Sequence, residues 1–166
     1  DPAPGRVVYL NLEDPAVAIR HRLRAMGRHL EDRWEWAGGK DPKQMDWPAI
    51  EERLDVYPAV GRGFSIARLN DRGIPEISEI WRTFIRQMRD LSPRLVAVDT
   101  MNRSIPGLDE NSSGHMSLVL GALEELAQEV GCAVIVLHHA NKASMVAGTG
   151  AEQQAIRGSS ALSDNC

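Results

Sequence analysis

The chain has 166 residues, of which 43% are hydrophobic and 25% are charged, a composition typical of a globular domain with a buried core. Its formal net charge of −4 provides no global basic field, so any contact with nucleic acid must be local. No apolar run reaches the roughly 18 residues of a membrane helix, and the two cysteines show no disulfide pattern, which together favour a cytoplasmic protein without membrane contact.

The first predicted element is a buried strand at residues 7–12, a mostly apolar run that leads into Glu13 and Asp14. Asp14 and Pro15 then predict a helix start, because an acid at the N-cap and a proline in the first turn both favour one. An apolar stripe at three- and four-residue spacing extends this helix to Leu30. Several arginines fall off the stripe, on a predicted solvated face: Arg20, Arg22, Arg24 and Arg28.

The middle of the chain is less regular. Residues 36–50 combine glycine, proline and charged side chains with scattered tryptophans, and we expect a loop or a short irregular helix there. Residues 54–57 fit a further strand. A helix is predicted to open at Pro75 and to end before Pro93, since apolar side chains line one of its faces and a second proline prevents its continuation.

Two more strands follow. Residues 95–98 are apolar and lead into Asp99 and Thr100, and a loop is expected from residue 101 to residue 113. A helix over 116–130 ends at Gly131, and a strand over 132–137 leads into His138 and His139. Strands that alternate with helices in this way predict an α/β fold, with a parallel sheet covered by helices on both faces.

Polar side chains follow three of these strands, at the edge where open α/β sheets bind their ligands. Asp99 can hold Mg²⁺ beside nucleotide phosphates, or it can simply be a turn acid. Glu13 can polarise a water molecule, or it can favour the helix N-terminus through the helix dipole. His138 and His139 point to opposite faces, so only one of them reaches a ligand.

Four segments in this order and spacing resemble the RecA-like ATPases: residues 7–15, 95–100, 137–142 and 157–162. Within that family the sequence is most similar to the hexameric plasmid replicative helicases of the RepA type and to the AAA-type ATPases grouped with them. The resemblance extends over nearly the whole chain and is weakest between residues 31 and 75. It implies a RecA-like P-loop NTPase core that binds ATP and Mg²⁺ and assembles as a homo-hexamer.

The resemblance also implies roles for individual residues. Glu13 corresponds to the catalytic glutamate that activates water, and Asp99 to the acid at the magnesium, with Thr100 beside it at the nucleotide. His139, or alternatively His138, corresponds to the sensor of the γ-phosphate.

Two loops correspond to the family's DNA-facing loops, namely residues 101–115 and 141–160. Within them Arg103, Lys142 and Arg157 are candidate contacts to single-stranded DNA. Composition alone favours an ordinary surface loop over a DNA contact for these residues.

The sequence departs from the family at the phosphate-binding loop, because it contains no G-x-x-x-x-G-K-[ST] motif. Gly39 and Lys40 do not replace it, since the spacing and the Ser/Thr are missing and no strand precedes them. In the family this loop lies upstream of the strand that starts at Val7. We therefore expect residues 1–166 to be a single partial domain of a longer protein, without the phosphate-loop strand and the last strands and inactive by itself.

Other functions remain open at this point. A RecA-like ATPase or recombinase without helicase activity would share the same residues. A metal-dependent hydrolase could use Glu13, Asp99 and His139 as ligands, although adjacent histidines are a poor spacing for such a site. A noncatalytic DNA-binding or assembly module is a third class, which the negative net charge disfavours.

Overall fold

The computed structural model of the protein describes residues 5–33 and 47–138. Within these residues the chain forms six strands and five helices. In chain order they are β1 (Val7–Asn11), α1 (Ala16–Arg33), α2 (Trp47–Arg53), β2 (Leu54–Pro58), β3 (Ala67–Leu69), β4 (Pro75–Ile77), α3 (Glu79–Leu91), β5 (Leu95–Asp99), α4 (Met101–Ser104), α5 (Ser113–Val130) and β6 (Ala133–Leu137).

The main sheet has four parallel strands in the order β2-β1-β5-β6. Its register pairs Asn11 with Pro58 on one side and with Asp99 on the other, and Asp99 in turn pairs with Leu137. The last residues of all four strands are therefore in line at one edge of the sheet. This arrangement confirms the predicted α/β fold class, a parallel sheet flanked by helices.

One face of the sheet supplies the core. Val8 and Leu10 of β1 and Val96 and Val98 of β5 are buried there together with Trp81 and other side chains of α3 and α5. Burying side chains of this size stabilises the fold by roughly 1.5–3 kcal/mol each. The opposite face is half-buried on β1 and β5 and more open on β6, where Ile135 is 52% exposed.

The prediction that a helix opens at Pro75 is wrong. Pro75 lies in β4 and pairs with Leu69 of β3, in a separate two-stranded antiparallel sheet. The turn between these strands depends on Asn70, whose Oδ1 accepts hydrogen bonds from two backbone N–H groups, both at 3.0 Å. The helix starts at Glu79, after Ser78 has capped it. Local side-chain bonding thus turns the chain before the helical pattern begins.

Other boundaries differ by a few residues. The predicted loop after Asp99 contains the short helix α4, and the helix expected from residue 116 begins at Ser113, where Ser112 is its N-cap. The irregular segment at 36–50 overlaps α2, while residues 34–46 lie outside the described part of the chain. Gly131 ends α5 with a φ of 70°, as predicted for a left-handed cap.

None of the helices in residues 5–33 and 47–138 combines the length and apolar character needed to cross a membrane.

Candidate active site

A cleft of about 340 Å³ lies at the carboxyl edge of the main sheet, beyond the ends of β1, β5 and β6. We call it the strand-end cleft. It brings together four of the residues predicted to form a site with three others that surround them. Its lining consists of Glu13, Asp14, Arg22, Asp99, Thr100, Leu137 and His138.

Asp99 is the most enclosed acid of the cleft. It ends β5 and is only 9% exposed. The hydroxyl of Tyr9 donates a hydrogen bond to its Oδ2 atom. The backbone carbonyl of Asp99 also accepts the N–H of Leu12, at 2.6 Å. Asp99 is therefore held by β1 through both its side chain and its backbone.

Thr100 follows Asp99 through a cis peptide bond. The residue is 4% exposed, and its hydroxyl has no hydrogen-bond partner among the described residues. A buried hydroxyl without a partner costs about 1–3 kcal/mol, so most such groups in native structures have one. Thr100 thus combines a place in the lining of the cleft with a buried hydroxyl that has no partner among the described residues.

Glu13 reaches the cleft from a bend rather than from a strand. β1 ends at Asn11, so Glu13 lies two residues beyond it and is exposed. The Asn11 side chain shapes this bend, because its Oδ1 accepts the backbone N–H of Asp14 at 2.9 Å. The Asn11 side chain itself is completely buried. The catalytic candidate is thus carried by a turn that a buried amide anchors to the sheet.

The two candidate histidines differ in what the structure shows. His138 follows β6 and lines the strand-end cleft, and its Nε2 lies 3.7 Å from Oε2 of Glu110. His139 lies outside the described residues. The choice of sensor between them stays a prediction.

The DNA-binding candidates are not part of the cleft. Arg103 is an exposed residue of α4 and lines a separate depression of about 310 Å³ in the loop that follows β5. Lys142 and Arg157 lie outside the described residues.

Arg22 is a cleft residue that the sequence pattern placed on a solvated face. Its guanidinium forms an ion pair with Asp14, and the side chain is 63% exposed. Asp14 and Arg22 are eight residues apart, which is not one of the three- and four-residue spacings at which side chains on a helix usually pair. The sequence therefore contains no signal for this contact. Arg22 brings positive charge to a cleft otherwise lined by carboxylates.

Tyr9 is a second residue that the sequence reasoning missed. It shares a face of β1 with Asn11, whose Nδ2 donates to the Tyr9 hydroxyl at 3.1 Å. Burial, reinforced by the hydrogen bond to Asp99, raises the pKa of Tyr9 above its usual value. The phenol therefore stays protonated near neutral pH and remains a donor to the carboxylate.

The side chains of the cleft suit Mg²⁺ better than a metal ion that three protein side chains enclose. Among the described residues no three His, Cys, Asp or Glu side chains cluster closely enough to enclose a metal ion. The hydrolase alternative needs His139, which lies outside them. One carboxylate and one hydroxyl, from Asp99 and Thr100, match Mg²⁺, which is typically held by one or two carboxylates together with substrate phosphates and water.

Comparison with known proteins adds one finding. A family model described as an AAA domain matches residues 1–145 of this chain. The matched part contains the whole main sheet and every residue that lines the strand-end cleft.

We expect Thr100→Val to raise the free energy of unfolding by about 1 kcal/mol, because valine has nearly the same shape and removes an unsatisfied buried hydroxyl. Urea unfolding followed by circular dichroism measures the change.

The matched control is Thr83→Val. The Thr83 hydroxyl donates to the carbonyl of Glu79 at 2.9 Å and accepts from Arg86 at 2.8 Å. This variant should gain no stability. An equal loss of stability in both variants would show that the Thr100 hydroxyl has a partner in solution.

Proposed function

The chain belongs to the AAA-domain family of RecA-like ATPases, and we propose that it works in an ATP-hydrolysing motor that moves along DNA, as a replicative helicase does. The observation that carries this proposal is the meeting of Glu13 and Asp99 in one cleft. Asp99 ends β5 and Glu13 lies two residues beyond the end of the neighbouring strand β1, where Asn11 pairs with Asp99. A water-activating carboxylate beside a metal-holding carboxylate is the arrangement that phosphoryl transfer to water requires.

Most residues of the cleft have a role in this proposal. Asp99 and the Thr100 hydroxyl would hold Mg²⁺, and the ion would supply positive charge to offset the negative charge of the phosphates. Glu13 accepts a proton from the attacking water, and its exposed position leaves room for that water. Arg22 provides positive charge beside the transferred phosphoryl group, and either His138 or His139 senses it.

The phosphate-binding loop of P-loop NTPases is absent from the printed sequence. Affinity for phosphates comes mainly from backbone N–H groups, a helix N-terminus and the lysine of that loop. The cleft instead offers three carboxylates and one arginine, and that arginine is already paired with Asp14. Its carboxylates repel a triphosphate until a cation screens them.

Residues 1–166 by themselves should therefore bind ATP weakly. A titration with a fluorescent ATP analogue, with and without Mg²⁺, measures this directly. We expect no saturation at micromolar concentrations. Tight, magnesium-dependent binding by these residues would show that the chain contains another phosphate cradle.

In the intact gene product, Glu13→Gln should lower the rate of ATP hydrolysis by about 10²–10⁴-fold and leave ATP binding in place, because only the general base is lost. Asp99→Asn should weaken the magnesium dependence of ATP binding. Glu124→Gln, at an exposed glutamate of α5, is the matched control and should hydrolyse ATP at the wild-type rate. Normal hydrolysis by Glu13→Gln would refute the catalytic assignment.

The DNA part of the proposal is supported by the connection between the cleft and the loop at 101–115. This loop begins directly after Thr100. Glu110 within it lies 3.3 Å from the Asn102 amide and 3.7 Å from the His138 ring, so it links the loop to the end of β6. A change at the phosphates can thus reach the loop over a few residues. We propose single-stranded DNA as the partner of this loop, in a homo-hexameric ring.

Arg103→Ala should weaken binding of single-stranded DNA. It should also reduce the slope of the logarithm of the binding constant against the logarithm of salt concentration by about one unit, as expected for the loss of one phosphate contact. Arg86→Ala is the control, since Arg86 is an exposed arginine of α3 on a different element. Fluorescence anisotropy at several salt concentrations measures both variants. An unchanged slope in Arg103→Ala would exclude this contact.

A forked-DNA unwinding assay separates the helicase from a RecA-like ATPase of another kind. Hydrolysis that single-stranded DNA stimulates without any unwinding would favour the recombinase-type alternative.

A further inference from the structure

We infer that Tyr9 and Asn11 are positioning residues, which hold the Asp99 carboxylate and the Glu13 turn at a fixed relative position. The inference rests on the proposed function, because it takes Asp99 as the acid at the metal and Glu13 as the base. Neither Tyr9 nor Asn11 lines the strand-end cleft. Both therefore act through the residues that they hold.

The register of the sheet places the three side chains together. Tyr9 and Asn11 are two residues apart on β1 and share a face, and Asn11 is paired directly with Asp99 on β5. This is the face opposite the main core, where Tyr9 is only half-buried. A polar network is possible here, because the large apolar side chains of β1 point to the other side.

A continuous chain of hydrogen bonds joins the Asp99 carboxylate to the turn that carries Glu13. The Tyr9 hydroxyl donates to Oδ2 of Asp99 and accepts from Nδ2 of Asn11 at 3.1 Å. Oδ1 of the same Asn11 amide accepts the backbone N–H of Asp14 at 2.9 Å, in the turn that carries Glu13. The Tyr9 hydroxyl and the Asn11 amide each donate one hydrogen bond and accept another in this chain. The orientation of the Asp99 carboxylate is therefore linked to that of the turn.

The network also selects which oxygen of Asp99 is available. Tyr9 donates to Oδ2, and Oδ1 takes no part in this network. The carboxylate thus has one anchored oxygen and one left for a metal ion or its water. Outer partners of this kind orient a metal ligand, and their loss typically lowers metal affinity by about 10–100-fold.

A purely structural role makes a different prediction. If the hydroxyl only satisfied buried polar groups, its removal would lower the free energy of unfolding and leave metal binding unchanged. A positioning role requires a loss of metal affinity that disappears when the Asp99 carboxylate is itself removed.

The test compares Tyr9→Phe with Tyr57→Phe in the intact gene product. Tyr57 is the other tyrosine of the chain and packs edge-on against Phe84, with ring centroids 6.0 Å apart. Mn²⁺ replaces Mg²⁺ in the presence of ATP, and electron paramagnetic resonance counts the unbound ion. Thermal unfolding and the kinetic constants for ATP hydrolysis are measured on the same samples.

We expect Tyr9→Phe to raise the dissociation constant of Mn²⁺ by about tenfold, while Tyr57→Phe leaves it unchanged. In an Asp99→Asn background, Tyr9→Phe should have no further effect on Mn²⁺ binding. Wild-type Mn²⁺ affinity in Tyr9→Phe, with or without a loss of thermal stability, overturns the positioning role alone. A wild-type protein that neither binds Mn²⁺ with ATP nor hydrolyses ATP rejects the proposed function, and the positioning role with it.

Discussion

The parallel pairing of β1 with β5 is the constraint on which the rest of the site depends. It sets Asn11 opposite Asp99 and brings the ends of both strands to the same edge of the sheet. The backbone continues this pairing past the strand, since the N–H of Leu12 bonds the carbonyl of Asp99 at 2.6 Å. A shift of β5 by one residue would turn the Asp99 side chain toward the apolar core and away from Tyr9. The buried valines and leucines of the core face oppose such a shift, so the same packing that stabilises the fold also sets the geometry of the site.

Electrostatics explain why this cleft needs further positive charge before it can bind a nucleotide. Glu13, Asp14 and Asp99 line it together, so a phosphate that enters the cleft meets three carboxylates. Arg22 offsets part of this repulsion through its ion pair with Asp14, but the pair is largely exposed, where solvent screens its contribution to about 1 kcal/mol or less. A divalent cation and a phosphate-binding loop are the groups that would balance the remaining charge. The first fits the oxygen ligands at Asp99 and Thr100, and the second is absent from the printed sequence.

The parts that could be predicted from the sequence are those with strong local signals. Apolar runs that end in Glu13, Asp99 and His138 predicted three strands and the edge at which they meet, because buried parallel strands read as unbroken apolar segments. Gly131 predicted a helix end, because glycine readily adopts the left-handed conformation of a helix cap. The sequence pattern is misleading at Pro75, because a proline that favours a helix start lies in a strand instead. The side chain of Asn70 turns the chain just before it, and pairing with Leu69 makes that proline part of a strand.

By itself the sequence determined the fold class, the four strands of the main sheet along the chain and the polar residues that follow three of them, since periodicity and turn residues act over a few neighbouring positions. It also determined that no phosphate-binding loop occurs in residues 1–166. Only the tertiary structure decided that Arg22 reaches the cleft, that Tyr9 holds Asp99 and that the Thr100 hydroxyl is left without a described partner. The Tyr9–Asp99 contact joins residues 90 positions apart in the chain. The pairing of β1 with β5 brings such residues together, and a one-dimensional pattern does not record which strands become neighbours.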